Sequence, residues 1–157
     1  MLQKYLLIFF VSMVPLIELR GSIVMAVGMD LDYFTALTVS VLGNMLPVPI
    51  IYFFARKVLV WGADKKYIGK FFRFCLEKGE RGGQKLVAKA GRGGLFVALM
   101  LFVGIPIPGT GAWTGTLAAS FLNMGIKATA AAVSLGVIMA GIIMGIASTG
   151  VFSVIGL

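Results

Sequence analysis

Apolar residues along this chain come in uncharged runs separated by short polar stations. The first run is Tyr5 to Ile17, thirteen residues, followed by Glu18 and Arg20 and a second run from Gly21 to Met29. Neither reaches the roughly 20 residues that a membrane-crossing helix needs. Pro15 disfavours one continuous helix through the junction and Gly21 loosens the next turn, so the pattern predicts a helix, a break and a return helix. Such a hairpin enters and leaves on the same face. Asp30 and Asp32 then form a polar turn in which either can cap the next helix. Tyr33 to Ala55 supplies 23 uncharged residues, long enough to cross, with a kink predicted near Pro47. Arg56 and Lys57 are predicted to end that helix.

No Asp, Glu, Lys or Arg occurs from Gly93 to Ile126, yet Pro106, Pro108, Gly109 and Gly111 forbid one uninterrupted helix there. The reading is a helix to about Gly104, a break over 105–111, and a return helix from Ala112. Backbone broken at membrane depth needs protein, water or a ligand to satisfy its polar groups. Ala128 to Leu157 adds 30 uncharged residues, enough for a tilted crossing, with small residues such as Gly136 and Gly145 for close helix packing. The fold class expected is therefore an all-α integral membrane protein with an inverted repeat. The first repeat covers 1–57, with a re-entrant hairpin at 2–29 and a spanning helix at 33–57. A basic linker occupies 58–94. The second repeat covers 95–157, with a hairpin at 95–119 and a spanning helix at 127–155. Kinked helices that span at both breaks are the alternative, since hydropathy does not separate the two.

Charge adds the orientation. Of the 14 Lys and Arg residues in 157, eleven lie between Arg56 and Arg92, opposed by Asp64, Glu77 and Glu80. A polybasic stretch beside apolar spans predicts a cytoplasmic linker touching anionic headgroups, with both termini outside, and argues against nucleic acid. Ile68, Phe71, Phe72 and Cys75 follow helical spacing with Lys65, Lys66, Lys70 and Arg73 on the other faces, the pattern of an interfacial helix. Glu80 to Gly83 is expected to end it, Gln84 to Ala90 to add a short second helix, and Gly91, Gly93 and Gly94 to stop that. A plain solvated loop is the simpler alternative. A single cysteine and no histidine leave no intrachain disulfide and no usual general base or metal ligand, so no enzyme, metal or cofactor is expected.

Candidate chemistry gathers at the two breaks. Glu18 and Arg20 are costly to hold near a bilayer and point to ions, protons or charged ligands. Burial favours the protonated form of Glu18 and a close Arg20 the ionised form. Arg20 is a candidate to clamp phosphate bidentately, and Glu18 to carry a coupling proton. The bland alternative has the two pair with each other and lock the hairpin tip. On the second break, Gly109, Thr110 and Gly111 offer backbone amides to an anion at the start of a helix. Trp113 is either a substrate contact or an interfacial anchor. Pro15, Gly21, Pro47, Pro106 and Pro108 are the expected helix breaks. Asn44 bonds across helices or reaches the site.

The residues Pro15-Leu-Ile-Glu18-Leu-Arg20-Gly21-Ser, Asn44-Met-Leu-Pro47 and Ile105-Pro-Ile-Pro-Gly-Thr-Gly-Ala-Trp113-Thr-Gly closely resemble the putative small multidrug export protein family of prokaryotes. That family in turn resembles the DedA/VTT membrane proteins. The resemblance implies paired re-entrant hairpins in the cytoplasmic (inner) membrane and proton-coupled translocation of a lipid-linked anion such as undecaprenyl phosphate. The chain departs from the DedA pattern in lacking an arginine in its second break. Efflux of small amphiphilic drugs and a non-transporting scaffold role are the alternatives. With few membrane-embedded elements to surround the broken backbone, a homodimer is expected.

Overall fold

Helix α1 (Leu2–Met13) ends where Pro15 approaches, and α2 (Glu18–Gly28) runs back from the break. The computed structural model describes residues 1–156, the side chains of 82, 83 and 86 apart. The last residue of the second repeat, 157, lies outside the described residues. A turn at Met29–Asp32 leads into α3 (Tyr33–Met45), which Asp32 caps through the backbone N–H of Thr35 at 2.8 Å and its hydroxyl at 2.7 Å. Helix α4 (Pro47–Ala63) follows with Pro47 in its first turn. Leu46 keeps helical angles, so α3 and α4 form one long helix kinked at the proline, which removes a backbone donor there. After a short turn come α5 (Gly69–Gly104), α6 (Ala112–Phe121) and α7 (Ile126–Ile155).

All regular structure among the described residues is helical. Three stretches are long and apolar enough to cross a membrane, Tyr33–Ala63, Val87–Gly104 and Ile126–Ile155. Helices α1, α2 and α6 have 12, 11 and 10 residues, each well short of a crossing length. Several sequence expectations need correction here. Gly21 lies inside the first turns of α2 and not in the break, which occupies 14–17. The α4 helix does not stop at Arg56 and Lys57 but continues to Ala63, because Leu59 and Gly62 are buried and hold its last turns on the protein. Glu80 to Gly83 does not end the linker helix. It runs on to Ala90, and the interruption is at Gly91, with φ 74° and ψ 176°. Gly93 and Gly94 are helical, so the arm leading to the second break begins earlier than residue 95. Phe71 is two-thirds exposed, whereas Phe72 packs on Gly62 and turns the linker helix toward α4.

The core is built by exchange between the halves. Leu19 and Ile23 of α2 pack with Val133, Val137 and Ala140 of α7, while Ala119 of α6 joins Val48 of α4. Helix α2 rests on α7, and α6 rests on α4. A smaller cluster of Ile8, Ala26, Leu31 and Ala36 ties α1, α2 and α3. Close approach replaces bulk where α7 meets α5: a Cβ on Gly136 would come within 2.6 Å of the Met100 carbonyl and 2.8 Å of Val103. Without a strong hydrophobic drive in lipid, this contact between small residues and backbone is what holds spanning helices together.

Candidate functional site

Both charged residues of the first break reach into the second. Glu18 opens α2, and its carboxylate accepts hydrogen bonds from the backbone N–H groups of Ala112 and Trp113, each at 3.2 Å. These are orphan donors of the first turn of α6, where the helix dipole favours negative charge. Glu18 is only 6% exposed, so its carboxylate is a buried cap supplied from a distant part of the chain. A Cβ on Gly111 would collide with that carboxylate, and the glycine therefore gives Glu18 its seat.

Arg20 serves the opposite polarity. One NH group donates to the Ile107 carbonyl at 2.5 Å, and the other donates to the Ile105 carbonyl at 3.2 Å, the Val103 carbonyl at 3.4 Å and Thr110 Oγ1 at 2.8 Å. The Ile105 and Ile107 carbonyls also accept from the backbone N–H groups of Ile107 and Thr110, at 2.8 and 3.1 Å, while Pro106 and Pro108 supply no N–H to the turn. The Thr110 hydroxyl sits at the centre of the same group, 2.9 Å from the Ile105 carbonyl and 2.8 Å from that of Ile107. The guanidinium thus binds the negative end of one helix while Glu18, two residues away, binds the positive end of the next. No ion pair between Glu18 and Arg20 occurs among the described residues. The alternative in which the two pair with each other is not what the structure has: both are directed to the opposite break.

Trp113 adds a third tie across the site. Its Nε1–H donates to the Met13 carbonyl at 3.2 Å, one of the last carbonyls of α1. Gly109 has φ 87°, a left-handed conformation open to glycine, and no neighbour stands near where a Cβ would be. Pro106 and Pro108 both lie in the non-helical stretch 105–111, and Pro15 lies in the stretch 14–17. Leu16 and Glu18 carry φ values of 78° and 51°, left-handed conformations that cost non-glycine residues roughly 1–2 kcal/mol each. Strain of this kind persists only where surrounding contacts over-determine it, as the Glu18 contacts do.

The sequence singled out Glu18, Arg20, Thr110, Gly111 and Trp113, and the structure brings all five together. Gly109 is beside them on the turn. Missed in the sequence were the carbonyls of Val103, Ile105 and Ile107 as acceptors, and Met13 as the partner of Trp113. The prolines at 106 and 108 were a usable signal for the first group, because a turn short of N–H groups has carbonyl lone pairs to spare for a cation. Among the described residues, no group of three or more His, Cys, Asp or Glu side chains is placed to hold a metal ion.

Residues 18–143 match the model of a family described as "Putative small multi-drug export protein". The chain belongs to this family. The matched stretch begins at Glu18 and holds the charged pair, the whole second break and most of α7. Helix α1 and the end of α7 fall outside it. Membership and three crossing-length helices make the chain a membrane protein of the all-helical class within this family. No curated protein and no solved structure matches.

Proposed function

We propose that this protein exports small amphiphilic molecules across the cytoplasmic membrane, with Glu18 as the group whose charge state controls the site. The observation that carries this reading is the buried Glu18 carboxylate on the Ala112 and Trp113 amides. An ionised carboxylate accepts both amide bonds and fixes the start of α6. Protonation, or a substrate cation drawn to the same charge, weakens that seat and frees the second break to move. Arg20 does not neutralise Glu18 directly, being directed to four acceptors on the turn. A buried acid without an ion-pair partner suits a proton or an amphiphilic cation.

Translocation of a lipid-linked phosphate fits this geometry less well. The anion would have to displace Glu18 from the α6 amides and draw Arg20 away from the turn carbonyls. In the same reading, α1 with α2, and the end of α5 with α6, are re-entrant hairpins of two inverted halves. Support comes from their short helices and from the exchange in which α2 packs on α7 and α6 on α4. The basic linker faces the cytoplasm against anionic headgroups, both termini lie outside, and a second copy of the chain covers part of the exposed apolar surface.

The test uses purified protein in liposomes, following movement of tetraphenylphosphonium under a pH gradient, with a polyprenyl phosphate in a parallel arm. Wild type should move the cation, and Glu18→Gln should not. Movement of the polyprenyl phosphate alone would transfer the reading to lipid-phosphate translocation. No movement of either by correctly folded protein would favour the scaffold alternative.

A further inference from the structure

A line of buried polar atoms leads away from Glu18, and several of them have no protein partner. On α6, Ala112 donates its N–H to Glu18, Thr116 follows one turn later and Ser120 one turn after that. Residues four apart on a helix lie about 5–6 Å from one another on one face. Thr116 is fully buried, and its Oγ1 has no hydrogen-bond partner. Ser120 donates to the Tyr52 carbonyl at 3.2 Å, and the Tyr52 hydroxyl donates to the Met124 carbonyl. Met124 lines a pocket of about 820 Å³ with Glu80, Arg92, Leu95, Asn123 and Lys127, at the linker side of the molecule. Thr129, one turn into α7 beyond that pocket, is also fully buried with a lone Oγ1.

A second set of buried polar atoms lies on α3. Helices α2 and α3 are joined by the short turn at Met29–Asp32 and run antiparallel, with Ser22 Oγ donating to Ser40 Oγ at 2.8 Å. One turn back along α2 is Glu18, and one turn on along α3 is Asn44, so the two stand at the same level. Asn44 is 2% exposed, and its Oδ1 has no partner. Buried polar atoms are almost always paired with protein or ordered water, and each orphan calls for an occupant. Buried orphans of this kind, Thr116 on α6, Asn44 on α3 and Thr129 on α7, are sites for buried water, which needs such polar anchors to be held.

We infer that Thr116, Ser120, Asn44 and Thr129 hold a chain of waters connecting Glu18 to the linker-side pocket, and that this track carries protons to and from Glu18. Each hydroxyl or water accepts one proton and passes one on, so that a proton taken from bulk water at the pocket ends on the Glu18 carboxylate. Arg20 lies on the neighbouring turn with its guanidinium on the second break, and the mouth of the track carries Glu80, Arg92 and Lys127. This deepens the export reading by giving its proton a route, and it rests on Glu18 having the role proposed above.

Hydration of the track is tested without any substrate. In a Cys75→Ser background, Thr116→Cys, Ser120→Cys and Ala119→Cys are made, and reaction with a small charged methanethiosulfonate is followed in inside-out vesicles. Ala119 is the control, fully buried on the same helix within the apolar core. The polar-row cysteines should react at least tenfold faster than the control. Rates equal to that of Ala119→Cys at both positions would overturn the track and leave the export reading to its own assay. Proton conduction is tested with Thr116→Val, which keeps side-chain shape and removes the hydroxyl. It should slow gradient-driven tetraphenylphosphonium movement several-fold while leaving tetraphenylphosphonium binding unchanged. Wild-type rates in Thr116→Val would overturn the proton route even if the row is wet. Should wild type move no substrate, it is the export reading that fails, and the labelling rates alone decide whether the track exists.

Discussion

Each charged side chain at the breaks answers an unmet need of the backbone, and that sets what its replacement should do. Arg20 presents two NH groups to separate acceptors on the second break. An ammonium at the same place is a compact charge that cannot present such a fork. Arg20→Lys is therefore expected to lower stability by about 1 kcal/mol, and Arg20→Ala by more, since it removes the charged donor altogether and hydrogen bonds to charged groups contribute roughly 1.5–3 kcal/mol. Thermal unfolding in detergent micelles measures both, and equal melting of Lys and wild type would contradict the fork. Gly111 has the opposite sensitivity. A Cβ there meets the Glu18 carboxylate, so Gly111→Ala should cost about 1–3 kcal/mol through overpacking and should unseat Glu18. Combining it with Glu18→Ala removes the collision, so the double variant should lose less than the sum of the two. The importance of Glu18 and Arg20 was legible in the sequence because charge stands out in apolar surroundings. Their partners were not, because contacts 83 to 95 positions away depend on how the halves dock.

Whole elements were read well where proline dictated them and poorly where glycine did. Pro15, Pro47, Pro106 and Pro108 each mark an interruption or kink, since a missing N–H is a local fact that tertiary packing does not restore. Glycine only lowers helix preference, so its effect yields to context. Gly82 and Gly83 stay helical within α5, while nearby Gly79 packs so closely on the Phe121 carbonyl that the linker helix is held against the end of α6. Gly91 differs because its φ of 74° is left-handed and nothing stands within 4 Å of a Cβ there. Gly91→Ala should thus cost about 1–2 kcal/mol from backbone strain alone, with no steric clash to relieve. At the other end of the molecule, Asp32 caps α3 through Thr35, whose hydroxyl and amide hold the carboxyl below the usual carboxylate range. A folded-state value below the unfolded one contributes stability above the unfolded value, near 3.9, and loses it as pH falls through the folded value. Asp32→Ala should melt below wild type at neutral pH, with the gap closing under acid. A gap that persists at low pH would show that the cap acts without its charge.

For the molecule as a whole, the inverted plan and its orientation stand or fall together. In the proposed orientation the eleven cations between Arg56 and Arg92 keep the linker inside, and an odd number of crossings on each side of it would then put both termini outside. The kinked helix Tyr33–Ala63 is one such crossing and Ile126–Ile155 another. If α1 with α2, and Val87–Gly104 with α6, each return to their own side, the halves enter from opposite faces and meet at Glu18 and Arg20. If those pairs instead cross as kinked helices, the termini move to the cytoplasm. The single native cysteine lies on the linker helix and is partly exposed, which makes it a reporter that needs no engineering. A membrane-impermeant maleimide should label Cys75 in inside-out vesicles and not in intact cells. Cysteines placed at Met1 and Gly156 in a Cys75→Ser background should show the reverse. Labelling of Cys75 from inside together with labelling of both termini from inside would retain the charge rule and remove the hairpins, since only an even number of crossings brings each terminus back to the linker's side.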